Sequence, residues 1–170
     1  MSGTMDSFLQ VMDELLGEEG CPWDRAQTME SLKPCMIDEF VEALAGIRIC
    51  QETGNGDNLC EELGDVLMHI VMLANIARAQ GLFTMEDVIR GIEQKMLRRH
   101  PHVFGEDALL GWSESQLEQG KEMPSSWDEI KKLEKKEINQ NMKELQKRAN
   151  DEAVLEVVNY LDKTDITVYK

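Results

Sequence analysis

The stretch NLCEELGDVLMHIVMLANIARAQ, Asn58 to Gln80, decides the fold. From Val66 it is apolar almost all the way round a helical wheel, a pattern that predicts the buried central helix of a bundle. His69 and Asn75 interrupt its most apolar part, Val66 to Ala77, which is also too short to span a bilayer. Asn58 predicts the N-cap, with Glu61 three residues on as an Asx-type capping box, and Gly81 predicts the stop.

On either side the chain reads as more helices. Ser7 to Leu16 has Phe8, Val11, Met12, Leu15 and Leu16 at helical spacing and is closed by Gly17, Gly20 and Pro22. A loop, Cys21-Pro22-Trp23-Asp24, and a short turn from Met29 to Lys33 lead to Pro34, which predicts the first position of a helix ending near Gln51. Thr84 caps a helix from Met85 to His100 that Pro101 ends, and Ser126 with Glu129 starts a fifth, from Trp127 to about Ala149. Asp151 to Tyr160 is predicted helical and Thr164 to Lys170 frayed.

Composition agrees with an all-α fold. The 170 residues suit one domain; aromatics make up only 5% against 42% hydrophobic, with 11 Met and 4 Pro, which favours packed helices over sheet. Acidic residues outnumber basic ones 33 to 18, a net charge of −15, so a nucleic acid or an anionic membrane surface is not an expected partner. The 4 Cys form no Cys-x-x-Cys pair and no secretory leader precedes the first helix, so reduced thiols in the cytoplasm are expected.

Chemistry concentrates on two helices. At 100° per residue from Glu39, the large apolar residues Ile37, Phe40, Leu44 and Ile47 fall between about 80° and 160°, the expected core face. Ala43, Gly46 and Cys50 lie within about 40° of Glu39, a small-residue face that lets another helix approach closely. Glu42 borders that face at about 300°, whereas Asp38 lies further round at about 260°. On the central helix Glu62 and Asp65 are neighbours three residues apart, and His69 continues their line. If the two helices pack together, four acids meet, and two unit charges at ~4 Å repel by roughly 4 kcal/mol at an effective dielectric of 20. A hard cation such as Mg²⁺, with positions left for water and phosphate, would answer that repulsion. The other reading is of acids on solvated faces of a very acidic protein.

In the fourth helix Met85, Val88, Ile89, Ile92 and Met96 define an inward arc of about 100°. Lys95 and Arg99 fall at or within it, and Arg98 points away. Such a basic pair either snorkels or meets anions, phosphate or the acid cluster itself. His100 and His102 lack a third nitrogen or sulfur ligand and give only a weak zinc signal. His69, in an apolar surround, reads as a hydrogen-bonded core residue. Trp23 and Trp127, both at loop–helix junctions, either anchor the core or stack on a base.

Taken in order, Cys21-Pro-Trp-Asp24 with Gln27-Thr28, Asp38-Glu39-x-x-Glu42, Glu61-Glu-Leu-Gly-Asp65, Lys95-x-x-Arg-Arg-His-Pro-His-Val-Phe104 and Trp127-x-x-Ile-Lys131 with Glu134-Lys135 resemble the MazG family of nucleoside triphosphate pyrophosphohydrolases. The resemblance runs from about residue 5 to 136. It implies a helical bundle of the all-α NTP pyrophosphatase type, assembled as a homodimer and dependent on Mg²⁺, with Mn²⁺ as a substitute. By the same resemblance Glu39, Glu42, Glu62 and Asp65 carry the metal and the catalysis. Lys95 and Arg99 match phosphate-binding positions, and Trp127 with Lys131 further nucleotide contacts. Trp23 is a candidate for base selection. Asp38 departs from the family's usual Glu, and one copy of the module is present where some relatives carry two. One domain over residues 1–150 is therefore expected, with 151–170 an extension of open role.

The implied reaction is hydrolysis of a nucleoside triphosphate at the α-phosphorus, giving the monophosphate and pyrophosphate, with one acid, Glu39 the candidate, taking the water's proton. Two alternatives stand beside it. One is a noncatalytic helical interaction module working through its charged tail. The other is a pyrophosphatase narrowed to a dNTP, phosphoribosyl-ATP or an alarmone.

Overall fold

The computed structural model describes residues 3–112 and 127–163, all of whose regular structure is helical. In chain order these are α1 (Met5–Leu16), α2 (Pro22–Arg25), α3 (Met29–Thr53), α4 (Asp57–Ala79), α5 (Met85–Arg99), α6 (Pro101–Phe104), a 3-10 segment (Gly105–Gly111), α7 (Trp127–Glu137) and α8 (Gln140–Lys163). They fall into two compact units, Met1–Met85 and Glu86–Lys170. Among the described residues no helix is long and apolar enough to cross a membrane. Ser126, the expected cap of α7, and the expected fraying of Thr164 to Lys170 lie outside the described residues.

In the first unit α3 and α4 form the main pair, and α1 packs on α2 and α4. Its core is Met12, Leu32, Val71 and Met72, ringed by partly buried residues of α1 and α4. The expectation for α4 holds: it carries six buried residues, Glu62, His69, Val71, Met72, Ala74 and Ala77.

Several helix boundaries differ from expectation, each for a local reason. Pro34 does not start α3 but lies inside it, because Thr28 caps the chain a turn and a half earlier. The Thr28 hydroxyl accepts the Ser31 N–H at 3.1 Å while the Ser31 hydroxyl accepts the Thr28 N–H at 2.9 Å. This box uses Ser at N3 in place of the usual Glu or Gln, as does Thr4 with Ser7 at the start of α1. Asn58 is not the cap of α4; Gly56 is, and the Asn58 side chain instead donates to Glu62. The fifth helix breaks at Ile138 and Asn139, where the Asn139 side chain accepts the Met142 N–H at 2.8 Å. From there α8 runs unbroken through Ala149 and Asp151.

The α3 wheel is corrected more substantially. The large-residue face is not the core face: Phe40, Leu44 and Ile47 are 50%, 63% and 41% exposed. The small-residue face is the packed one. Ala43 and Gly46 are buried, and a Cβ at Gly46 would stand 3.0 Å from Leu59 Cα and 3.1 Å from Asn58 Oδ1. Backbone-to-backbone approach of that kind needs glycine. The apolar arc of α5 is likewise open, with Val88, Ile89 and Ile92 exposed.

In the second unit Ala108, Trp112 and Ile130 are buried. Gly111 has no room for a side chain, since its Cβ would meet the Gln94 carbonyl and lie 2.6 Å from Arg98 N.

Candidate functional site

Close packing of α3 on α4 through Ala43 and Gly46 brings the acids of both helices together. Glu39 and Glu42 project from α3 one turn apart, and Glu62 meets them from the first turns of α4. One carboxylate oxygen from each of the three lies within 4.8 Å of the others. Glu62 is buried, and Asn58 Nδ2 donates to its Oε1 at 2.8 Å, which orients the carboxylate. Burial first, then the charge of Asp65, pushes Glu39 above the usual carboxylate range; Glu62 and Asp38 add to the rise and His69 opposes it. Burial, the charges of Glu62 and Glu39, and a side-chain hydrogen bond with Glu62 raise Glu42 in the same way. Asp65 lies outside the group of three but is the strongest charged neighbour of Glu39. Asp38 is also outside it and contributes the smallest of the stated effects on both glutamates.

Like charges gathered at a partly buried point repel one another, and an all-oxygen donor set fits a hard divalent cation. The residues present therefore suit Mg²⁺ or Mn²⁺. Sequence spacing did not single out Asn58 as a partner of the acids. His69 is buried as expected, with its Nδ1 3.0 Å from the Asp65 carbonyl oxygen, yet it also acts electrostatically on Glu39.

A folded-state pKa raised above the unfolded value contributes stability below the ordinary carboxylate pKa, which is lost as pH rises through the raised value. Without divalent ions the melting temperature is accordingly expected to fall as pH climbs from about 4.5 toward neutrality, and millimolar Mg²⁺ to restore it. Scanning calorimetry of the wild type against a Glu39→Gln/Glu42→Gln double variant checks both effects. The variant should lose the Mg²⁺ response and this part of the pH dependence. An unmoved wild-type melting temperature would count against the cation.

The basic and aromatic candidates lie in the second unit, apart from Trp23. Lys95 is partly exposed on α5 and has no ion pair among the described residues. Arg99 meets a carboxylate, but it is Glu134 of α7 rather than the acid cluster: Arg99 Nε and Nη2 lie 3.2 and 2.6 Å from Glu134 Oε2. Arg98 does not point away. Its Nε and Nη2 lie 2.8 and 2.6 Å from Glu134 Oε1, and its Nη1 donates to the Gly111 carbonyl. The wheel of α5 could not reveal a partner 36 residues further along the chain. Burial opposes ionisation of Glu134, but the two arginines outweigh it and hold the carboxyl below its usual range.

Trp127, 41% exposed, is surrounded by cations rather than by core. Arg99 Cζ lies 5.0 Å and Lys131 Nζ 5.8 Å from its ring centroid, with His100 packed 5.1 Å away. Trp23 is 65% exposed on α2, so neither candidate tryptophan anchors a core. That role falls to Trp112, over which Arg98 lies at 5.5 Å. His100 and His102 pack 5.8 Å apart, and His100 Nδ1 is engaged with the Met96 carbonyl at 2.7 Å.

Residues 27–104 match a family described as the MazG nucleotide pyrophosphohydrolase domain. The chain is 45% identical over 130 residues to the nucleoside triphosphate pyrophosphohydrolase/pyrophosphatase MazG of Thermotoga maritima, covering 76% of this chain and 45% of that protein. It is 41% identical over 129 residues to the uncharacterized protein YabN of Bacillus subtilis, covering 76% and 24%. Identity to the nucleoside triphosphate pyrophosphohydrolase of Escherichia coli K12 is 35% over 132 residues, covering 77% and 46%. The chain thus spans less than half the length of each of these relatives.

Proposed function

Because the chain belongs to the MazG family, we propose that it hydrolyses nucleoside triphosphates to the monophosphate and pyrophosphate, as a cytoplasmic, Mg²⁺-dependent homodimer. The observation that carries this reading is the convergence of Glu39, Glu42 and Glu62 on one point between α3 and α4.

Glu39, Glu42, Glu62 and Asp65 hold the cation, for which Mn²⁺ can substitute. Once bound there it supplies positive charge that neutralises phosphate oxygens and lowers the pKa of an attacking water. The Glu39 carboxylate takes the proton from the attacking water. Lys95, Arg99 and Lys131 bind the outer phosphates, Trp127 adds a nucleotide contact beside them, and Trp23 offers an exposed ring for the base. Charge stabilisation is then concentrated on pyrophosphate, which makes it the favoured leaving group.

Hydrolysis in ¹⁸O-labelled water is expected to place the label in the nucleoside monophosphate, read by mass spectrometry across a panel of ribo- and deoxyribonucleotides. Label only in pyrophosphate would mean attack at the β-phosphorus, and no release of pyrophosphate from any nucleotide would overturn the reading.

The homodimer is supported by the apolar stripe Phe40, Leu44 and Ile47 on α3, large side chains left uncovered in one chain. Sedimentation at micromolar concentration should show a dimer that Leu44→Asp converts to monomer with loss of activity. A fully active wild-type monomer would refute it.

A further inference from the structure

Glu134 is shared by two arginines, and the way it is shared differs between them. Arg98 is used up: Nε and Nη2 donate to Glu134, Nη1 donates to the Gly111 carbonyl, and the guanidinium covers Trp112. Arg99 presents only its Nε and Nη2 side to Glu134 and lies over Trp127, leaving Nη1 without a partner among the described residues. The side chains of all three are 17–18% exposed. Two guanidinium charges against one carboxylate leave the fork with a charge of +1, so it still attracts an anion.

We propose that Glu134 is a positioning residue for Arg99, fixing its guanidinium against Trp127 so that the Nη1 edge is held ready for a phosphate. This rests on the reading of Arg99 as a phosphate ligand. A free arginine side chain must be ordered when it binds, and one already held by a carboxylate and an aromatic face binds with less loss of freedom. Arg98 keeps the arrangement cationic and ties Glu134 to the backbone at Gly111. For this purpose a carboxylate beside a phosphate-binding arginine is an asset, since the second arginine compensates its charge.

Glu134→Gln tests the proposal in the full chain. Its carboxamide oxygen can accept from one arginine, but its NH₂ faces donors of the other, so the bridge that fixes both arginines is broken. The expected result is a KM for the preferred nucleotide raised about tenfold with kcat within about twofold, and an equal loss in calorimetric affinity for its α,β-methylene analogue. Glu134→Asp, one methylene too short to bridge both arginines, should fall between Gln and wild type. In the wild type, the Arg99 Nε–H proton resonance, protected by Glu134, should persist when the analogue saturates the protein.

A lowered melting temperature with KM unchanged would make Glu134 merely structural, and a lowered KM would make it a competitor of the substrate; either overturns the proposal. Loss of the Nε–H resonance on binding does so too, and that measurement decides if the variants fail to fold. Arg99→Gln separates the two levels. If it leaves KM unchanged, the reading of Arg99 as a phosphate ligand fails; if it raises KM while Glu134→Gln does not, only the role of Glu134 fails.

Discussion

Glu39→Gln and Glu62→Gln are each expected to lower kcat by roughly 10³-fold or more, about 4 kcal/mol of transition-state stabilisation, with the helical fold retained. Both carboxylates belong to the group whose oxygens lie within 4.8 Å of one another. Gln keeps the shape and removes the charge. Glu62 carries the sharper case, because Asn58 already engages Oε1 and so fixes which oxygen remains for a cation. Asp38→Asn should reduce turnover by no more than about tenfold, since Asp38 lies outside that group. Circular dichroism with steady-state kinetics decides the matter. Equal losses from all three variants would show that Asp38 shares the site.

Gly46→Leu should be among the most damaging single changes to the pairing of α3 with α4. A Cβ at Gly46 stands 3.0 Å from Leu59 Cα and 3.2 Å from Leu59 N, and neither backbone atom can rotate aside as a side-chain end could. Overpacking there should cost about 3 kcal/mol, or roughly 6–12 °C in melting temperature for a chain of this size. The same intrusion presses on Asn58 Oδ1, 3.1 Å away, and so disturbs the hydrogen bond that orients Glu62. Mg²⁺ affinity should therefore fall together with stability, measured by thermal denaturation across a Mg²⁺ titration. A Gly46→Leu protein that melts like wild type would mean that α3 and α4 can separate without penalty.

What could be read from the sequence follows from what periodicity encodes. The spacing of Glu39 with Glu42 and of Glu62 with Asp65 fixes them on helix faces, and the small residues Ala43 and Gly46 marked the face along which a second helix could approach. Periodicity does not say what covers an apolar face, so Phe40, Leu44 and Ile47 looked like core and are exposed. A proline at a plausible first position outweighed Thr28 and Ser31, because a hydroxyl can complete a capping box usually recognised by Glu or Gln. The break at Asn139 carries neither Gly nor Pro and depends on a side-chain cap. Glu134 was visible only as part of a motif. Its meaning comes from a tertiary contact that no local pattern contains.

The three-sided character of α3 also bears on how much change its sequence can absorb. One side supplies acids, one must stay small, and one is apolar and open, while Leu32 is 1% exposed at the N-terminal end. Little of the helix is left idle. In a library varied one position at a time, tolerated substitutions in α3 should therefore collect at a few polar positions such as Glu30, Arg48 and Glu52, all exposed. An insertion of a single residue between Glu42 and Gly46 should be worse than any substitution, since it rotates whatever follows by about 100° and puts the small-residue side out of phase with the acids.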